Sequence, residues 1–201
     1  AETGVELRVA SRHAGARGLP PYDLKSHEGM LRFLVVREAK QTGQTMVNLV
    51  VADYPCGAVD EVMEEVLAEL PEITTALITL HTGKAQVATG EETFTVKGEG
   101  RMVERCGALE YEISSASFFQ TNTVQAERLY GLVSEYAGPL EGARVLDLYA
   151  GTGGISLQLA RQAHSVLAVE QVSEAAADGR RNARRNDLTN CEFLALAAEA
   201  Y

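Results

Sequence analysis

The stretch that most constrains what this chain can fold into is 145–160, VLDLYAGTGGISLQLA. An apolar run leads through Asp147, glycines follow at 151, 153 and 154, and apolar residues at helical spacing take over. That order predicts a buried strand, a tight turn and a helix. Glycine suits the turn because it accepts positive φ and lets a ligand come close to the backbone. Amides left free at the helix start favour polar or anionic ligand groups. The flanking sequence repeats the pattern: strand 143–149, helix 154–163, strand 165–170, helix 173–186 and strand 191–196 predict half of a doubly wound parallel sheet. A helix precedes it, with Ala126, Leu129, Leu132, Val133, Tyr136 and Ala137 expected on its apolar face. Thr121, Asn122 or Thr123 can cap that helix, and Gly138-Pro139 ends it.

Two nucleotide-type ligands use such a turn. A dinucleotide fold wants G-x-G-x-x-G, and here the third position is Ser156. An acid four residues before G-x-G, as in Asp147, Gly151 and Gly153, resembles instead the first motif of S-adenosylmethionine-dependent methyltransferases. Glu170 closes the next apolar run, SVLAVE, about 20 residues beyond the turn, where a carboxylate can accept both ribose hydroxyls. A nucleoside ligand accounts for these residues together better than packing alone.

Upstream, residues 1–30 show little periodicity, Gly18-Leu19-Pro20-Pro21 marks a turn or linker, and His13 and His27 are expected at the surface. From Arg32 the chain becomes β-rich, with a hairpin about residues 41–44, a helix over 57–70 ended by Pro71, a strand over 74–82, and short strand-like pieces to about Ser115. Residues 1–115 are expected to form a small α+β domain and 116–201 the first half of the Rossmann-like sheet. The acids Glu64, Glu65, Glu91, Glu92, Glu110 and Glu112 are expected on solvated faces.

The formal charge of −10 opposes nonspecific nucleic-acid binding by the chain as a whole. RRNARR at 180–185 is a local exception, expected as a solvated helix face. No apolar run approaches membrane-spanning length. The three cysteines, Cys56, Cys106 and Cys191, are odd in number and lack metal-ligand spacing. Reduced core or loop thiols in a cytoplasmic protein, with no metal site, are therefore expected.

Read together, LRFLVVREAKQTGQTMVNLVV, MVERCGALEYEISSASFFQTNTVQAERLY, VLDLYAGTGGISLQLA and RRNARRN resemble the RNA (uracil-5-)-methyltransferases, which make 5-methyluridine in ribosomal or transfer RNA. The resemblance runs from about Leu19 to the C-terminus and leans toward the ribosomal-RNA branch. It implies S-adenosylmethionine as cofactor and RNA as partner. It further implies that Gln120 contacts the methionine end of the cofactor and that Tyr149 lies against it. By the same resemblance Gly151 and Gly153 form the turn and Glu170 binds the ribose. Phe118 and Phe119 are expected to be core between the domains. The sequence departs from the family's pattern at Ala150, where Cys is common, and at Ala197, near the place of a polar residue that meets adenine; either adenine recognition is weakened there or Glu199 substitutes.

In the family a cysteine thiolate attacks C6 of uracil, C5 takes the methyl group, and a base removes the C5 proton. Both groups lie after the part matched here, so no catalytic residue is expected within 1–201. The chain reads as an internal fragment, inactive alone. The outer edge of the first parallel strand is expected to be covered by another copy or by a missing C-terminal segment. A methyltransferase for another substrate, or a noncatalytic RNA-associated scaffold, is the alternative.

Overall fold

A computed structural model describes residues 4–200. The chain divides into two compact units, one of Ala1–Glu38 with Gly43–Met102 and the other of Ala39–Thr42 with Val103–Tyr201. The division falls before the last short hairpin rather than after it, because that hairpin is held by side chains of a later helix.

The first unit contains α1 (Val5–Ala16), β1 (Leu31–Ala39), β2 (Gln44–Val51), α2 (Gly57–Glu69), β3 (Thr75–Leu80) and β4 (Glu92–Lys97). The sheet order is β1-β2-β3-β4. The crossover through α2 makes β2 and β3 parallel, and β4 returns antiparallel. Val47, Leu49 and Val51 alternate toward the helices, where they meet Val59, Val62, Met63 and Val66 of α2. Helix α1 departs from the expectation of an aperiodic start. It buries Val9, Ala10 and Ala14, two of them alanines that carry little hydrophobic signal. The histidine on it is not isolated either. His13 lies 2.6 Å from Glu65 and 3.1 Å from Glu69, and Arg17, just past α1, binds Glu65 and Glu61, so Glu65, expected on a solvated face, is paired.

The second unit contains β5 (Arg101–Cys106, from Val103 on), β6 (Leu109–Ser114), α3 (Thr123–Ala137), β7 (Arg144–Leu148), α4 (Gly154–Ala160), β8 (Ser165–Glu170), α5 (Ser173–Arg185) and β9 (Cys191–Ala195). Strands β7, β8 and β9 lie in that order, all parallel, with Leu148 opposite Val169 and Glu170 opposite Ala195. This is the α/β architecture expected, the first half of a Rossmann-like sheet. Leu140, Leu159, Ala160, Ala163 and Val166 form a core between helix and sheet. Leu146 and Leu148 point the other way and are nearly half exposed. β7 is an end strand of its sheet.

Three expectations fail in this unit. On α3 the buried residues are Thr123, Ala126 and Tyr130, with Asn122 as the cap, while Leu129, Leu132 and Tyr136 are exposed. Two apolar stripes share this helix, and composition does not say which is inward. Phe118 is 70% exposed, and only Phe119 packs, against the Tyr111 ring at 5.3 Å. The RRNARR face is not simply solvated. Arg185 binds Glu110 and Glu112 at 2.9 Å, Arg181 binds Asp178, and Arg180 donates to the Phe193 carbonyl.

Glu104 is buried and accepts four hydrogen bonds, from the amides of Lys40, Gln41 and Arg105 and the hydroxyl of Thr123. Glu104→Gln would replace one acceptor oxygen by a donor facing donors. The expected cost is about 2 kcal/mol, read as a lower urea midpoint at unchanged slope.

Candidate functional site

At the C-terminal end of β7 the chain turns through Tyr149, Ala150 and Gly151 into α4. Tyr149 takes φ 61° and Gly151 φ 58°, both left-handed, and Gly153 takes φ 94°. The Ala150 amide donates to Val169 O at 3.0 Å and the Gly153 amide to Ala150 O at 3.0 Å. The turn is thus tied to the neighbouring strand before any ligand is considered.

The glycines do different work. A Cβ on Gly151 would meet nothing within 4 Å, so this position opens onto free space. A Cβ on Gly153 would come within 2.7 Å of the Phe193 ring, and one on Gly154 within 2.5 Å of the Tyr130 hydroxyl. Gly153 and Gly154 are small because side chains pack beneath them, and Gly151 leaves the room that a close ligand needs.

Glu170 ends β8 beside this turn. Its Oε2 accepts the Gly151 amide at 2.8 Å and its Oε1 the Val172 amide at 2.7 Å. An ionised carboxylate has about four acceptor sites, so both oxygens keep capacity for hydroxyl donors. The carboxylate and the open glycine therefore stand side by side.

Asp147 looks inward. Its Oδ2 accepts the Ser156 hydroxyl at 2.5 Å, which ties β7 to α4. Burial pushes its carboxyl up from the ordinary 3.8, against the lowering by the Ser156 hydroxyl and amide. A raised folded-state value means that the charged form costs stability once pH exceeds it, and the cost disappears as pH falls toward 3.8. Asp147→Asn keeps an acceptor for Ser156. Its stability gain over the native chain is expected to be largest near neutral pH and to shrink on acidification through that window, as pH-dependent urea melts would record.

Tyr149 is exposed, and its hydroxyl donates to Glu199 Oε1 at 2.8 Å. That bond raises the phenol; Glu199 is held low, first by its own backbone amide and then by Tyr149. Glu199, one of the two alternatives at the adenine position, thus reaches the mouth of the turn, following Leu196, whose amide donates to Glu170 O at 3.0 Å. Gln120 lies half-buried in the segment before α3 and makes no hydrogen bond to the turn among the described residues.

Two thiols of this unit lie apart from the turn, Cys106 beside the Thr123 carbonyl and Cys191 opposite Val166. Burial, with Glu127 and Glu104 nearby, pushes Cys106 up to about 11. Burial and the Asp147 charge push Cys191 up to about 12. Both are protonated at neutral pH and unsuited to nucleophilic attack. Among the described residues no group of three or more His, Cys, Asp or Glu is placed to hold a metal ion, and no helix is long and apolar enough to cross a membrane. Sequence reasoning missed Phe193 and Asn182, which pack against and bond to the turn, and Gly179 and Asp178, which pack on Phe193 and bond to Ser114 and Ser117. The spacing Asp178, Asn182, Asn186 was the available signal, but polar residues at helical period are ordinarily read as a solvent face.

A family model described as tRNA (uracil-5-)-methyltransferase matches residues 47–201. An uncharacterized RNA methyltransferase of Chlorobaculum tepidum is 41% identical over 189 residues, 94% of this chain and 39% of that protein. Another, from Clostridium acetobutylicum, is 34% identical over 192 residues, 94% of this chain and 42% of its own. The chain therefore spans about two fifths of the length of these curated relatives. The crystal structure of Pyrococcus abyssi tRNA (uracil-54, C5)-methyltransferase in complex with S-adenosyl-L-homocysteine aligns with TM-score 0.79 at 27% identity, over 96% of this chain and 46% of that one. A tRNA m1G37 methyltransferase from M. jannaschii shares the fold at TM-score 0.51 and 12% identity, over 96% of this chain and 52% of that one. With about three quarters of its length matched by that family model, the chain belongs to the tRNA (uracil-5-)-methyltransferase family.

Proposed function

We propose that this chain is part of an S-adenosylmethionine-dependent enzyme that methylates C5 of uridine in RNA. The observation that carries the reading is Glu170 held on the Gly151 amide beside open space. The residues present fit the cofactor: Glu170 would take the ribose hydroxyls, Gly151 would give its backbone room, and Tyr149 would lie against it. Gln120 would meet its methionine end. Gly153 would hold the turn's shape and Asp147 would tie the turn from below. The cofactor, when bound, supplies an electrophilic methyl group on sulfonium. This chain's residues bind and orient; the thiolate that attacks C6 and the base that removes the C5 proton would come from outside residues 1–201. Burial raises the thiols of Cys106 and Cys191, in keeping with that assignment.

Ribosomal RNA is the proposed substrate class and the cytoplasm the proposed location. The family model and the Pyrococcus abyssi neighbour both name transfer RNA, so the assay must compare the two. The longer parent protein, given labelled S-adenosylmethionine, should place 5-methyluridine in ribosomal RNA, and residues 1–201 alone should give no turnover. Turnover by residues 1–201, or methylation by the parent at another base, would refute the reading. The free side of β7, with Leu146 and Leu148 nearby, is proposed to be covered in the working protein by its remaining chain or by a second copy. A full-length monomer that leaves these residues hydrated would contradict this.

A further inference from the structure

The face of α5 that meets β6 carries Asp178, Asn182 and Asn186 at intervals of four, and the residues of β6 they meet are Ser114, Glu112 and Glu110, at intervals of two. Four helical residues rise about 6.0 Å and two strand residues about 6.7 Å, so the two rows stay nearly in step. The helix side chains act in place of a neighbouring strand. Asn186 accepts the Glu110 amide at 2.9 Å and donates to the Glu110 carbonyl at 2.7 Å. Asn182 accepts the Glu112 amide at 2.6 Å and donates to the Glu112 carbonyl at 3.2 Å. Asp178 accepts the Ser114 amide at 3.3 Å and the Ser117 hydroxyl at 2.5 Å.

Asn182 differs from Asn186 in one bond. The remaining amide hydrogen of Asn186 stays within its own helix, on the Asn182 carbonyl at 2.8 Å. Nδ2 of Asn182 instead donates to the Thr152 carbonyl at 3.1 Å, in the middle of the glycine turn. Asn182 is fully buried, and its oxygen and both amide hydrogens are used. The Thr152 carbonyl belongs to the same peptide as the Gly153 amide, which donates the other way to Ala150 O. The side chain therefore fixes the plane of the 152–153 peptide, two peptides on from the Gly151 amide that Glu170 holds.

We infer that Asn182 is a positioning residue for the nucleoside turn. It couples β6, and the Gln120 segment that leaves it, to the shape of the Gly151–Gly154 backbone. This rests on the cofactor reading above. Aspartate cannot replace it, because a carboxylate has no hydrogen to donate and would face the Thr152 and Glu112 carbonyl oxygens at close range.

The test uses the full chain and three variants, Asn182→Asp, Asn182→Ala and Asn186→Ala. Each is measured for S-adenosylhomocysteine affinity by calorimetry, for Tm, and for hydrogen exchange at the Gly153 amide without ligand. Both Asn182 variants are expected to weaken binding about tenfold and to speed Gly153 exchange about tenfold, the scale of one buried polar group left unpaired. Asn186→Ala is expected to lower Tm while moving neither readout. Should Asn182→Asp fail to fold, Asn182→Ala carries the comparison. Affinity loss that only tracks Tm across Asn182 and Asn186 variants, or unchanged Gly153 exchange, overturns the inference. Absence of binding by the native chain would sink the cofactor reading instead, and Gly153 exchange would then decide the role of Asn182 by itself.

Discussion

Glu170→Ala is expected to lower the affinity of this chain for S-adenosylhomocysteine by about a hundredfold. Hydrogen bonds to a charged group contribute about 1.5–3 kcal/mol each, and a ribose offers two hydroxyls to this carboxylate, so the loss of both reaches about that factor. The same substitution frees the Gly151 and Val172 amides, which lie at the open end of the sheet where water can replace the lost acceptor. Tm should therefore change little while binding nearly vanishes. Glu170→Gln keeps one acceptor oxygen and should fall between, near tenfold. Equal affinity for the native chain and Glu170→Ala, by calorimetry, would remove the carboxylate from the site.

Gly179→Ala is expected to destabilise the chain by about 3 kcal/mol, although the same change in most helices stabilises by about 1 kcal/mol. Overpacking decides the sign. An added Cβ would lie 2.2 Å from Cε1 and 2.5 Å from Cδ1 of Phe193. That ring has little room to swing aside, since it is 3% exposed and its Cζ would also lie 2.7 Å from a Cβ on Gly153. Phe193 is thus held between α5 and the glycine turn, and a shift forced at Gly179 is passed to the turn. Phe193→Leu should recover much of the loss in the double variant, so chemical melts of the two single variants and the pair should show strong non-additivity. Simple addition of the two losses would mean that the ring has room to move.

Much of the site was legible because its signals are local. Strand, glycine turn and helix follow one another within 16 residues, and Glu170 closes the next strand, so spacing alone places the acid beside the turn. The same holds for α2, whose valines and Met63 keep a clean helical period. What escaped was set by contacts distant in sequence. Asn182 meets Thr152 across 30 residues and Glu112 across 70, and the four-residue spacing of Asp178, Asn182 and Asn186 is in itself that of an ordinary solvent face. On α3 two apolar stripes compete, and which is buried depends on α4, where a Cβ on Gly154 would meet Tyr130. Helix α1 was hidden because its buried face is largely alanine and its outer face pairs with acids of α2.

The account depends on the space between Gly151 and Glu170 being a seat for a sulfonium nucleoside. Titration of the isotope-labelled chain with S-adenosylhomocysteine, followed by backbone amide resonances, addresses that most directly. The amides of Gly151, Thr152, Gly153 and Val172 should shift together along one saturating curve, and NAD should leave them in place. Shifts confined to the 144–146 strand face, or none at any concentration, would contradict it.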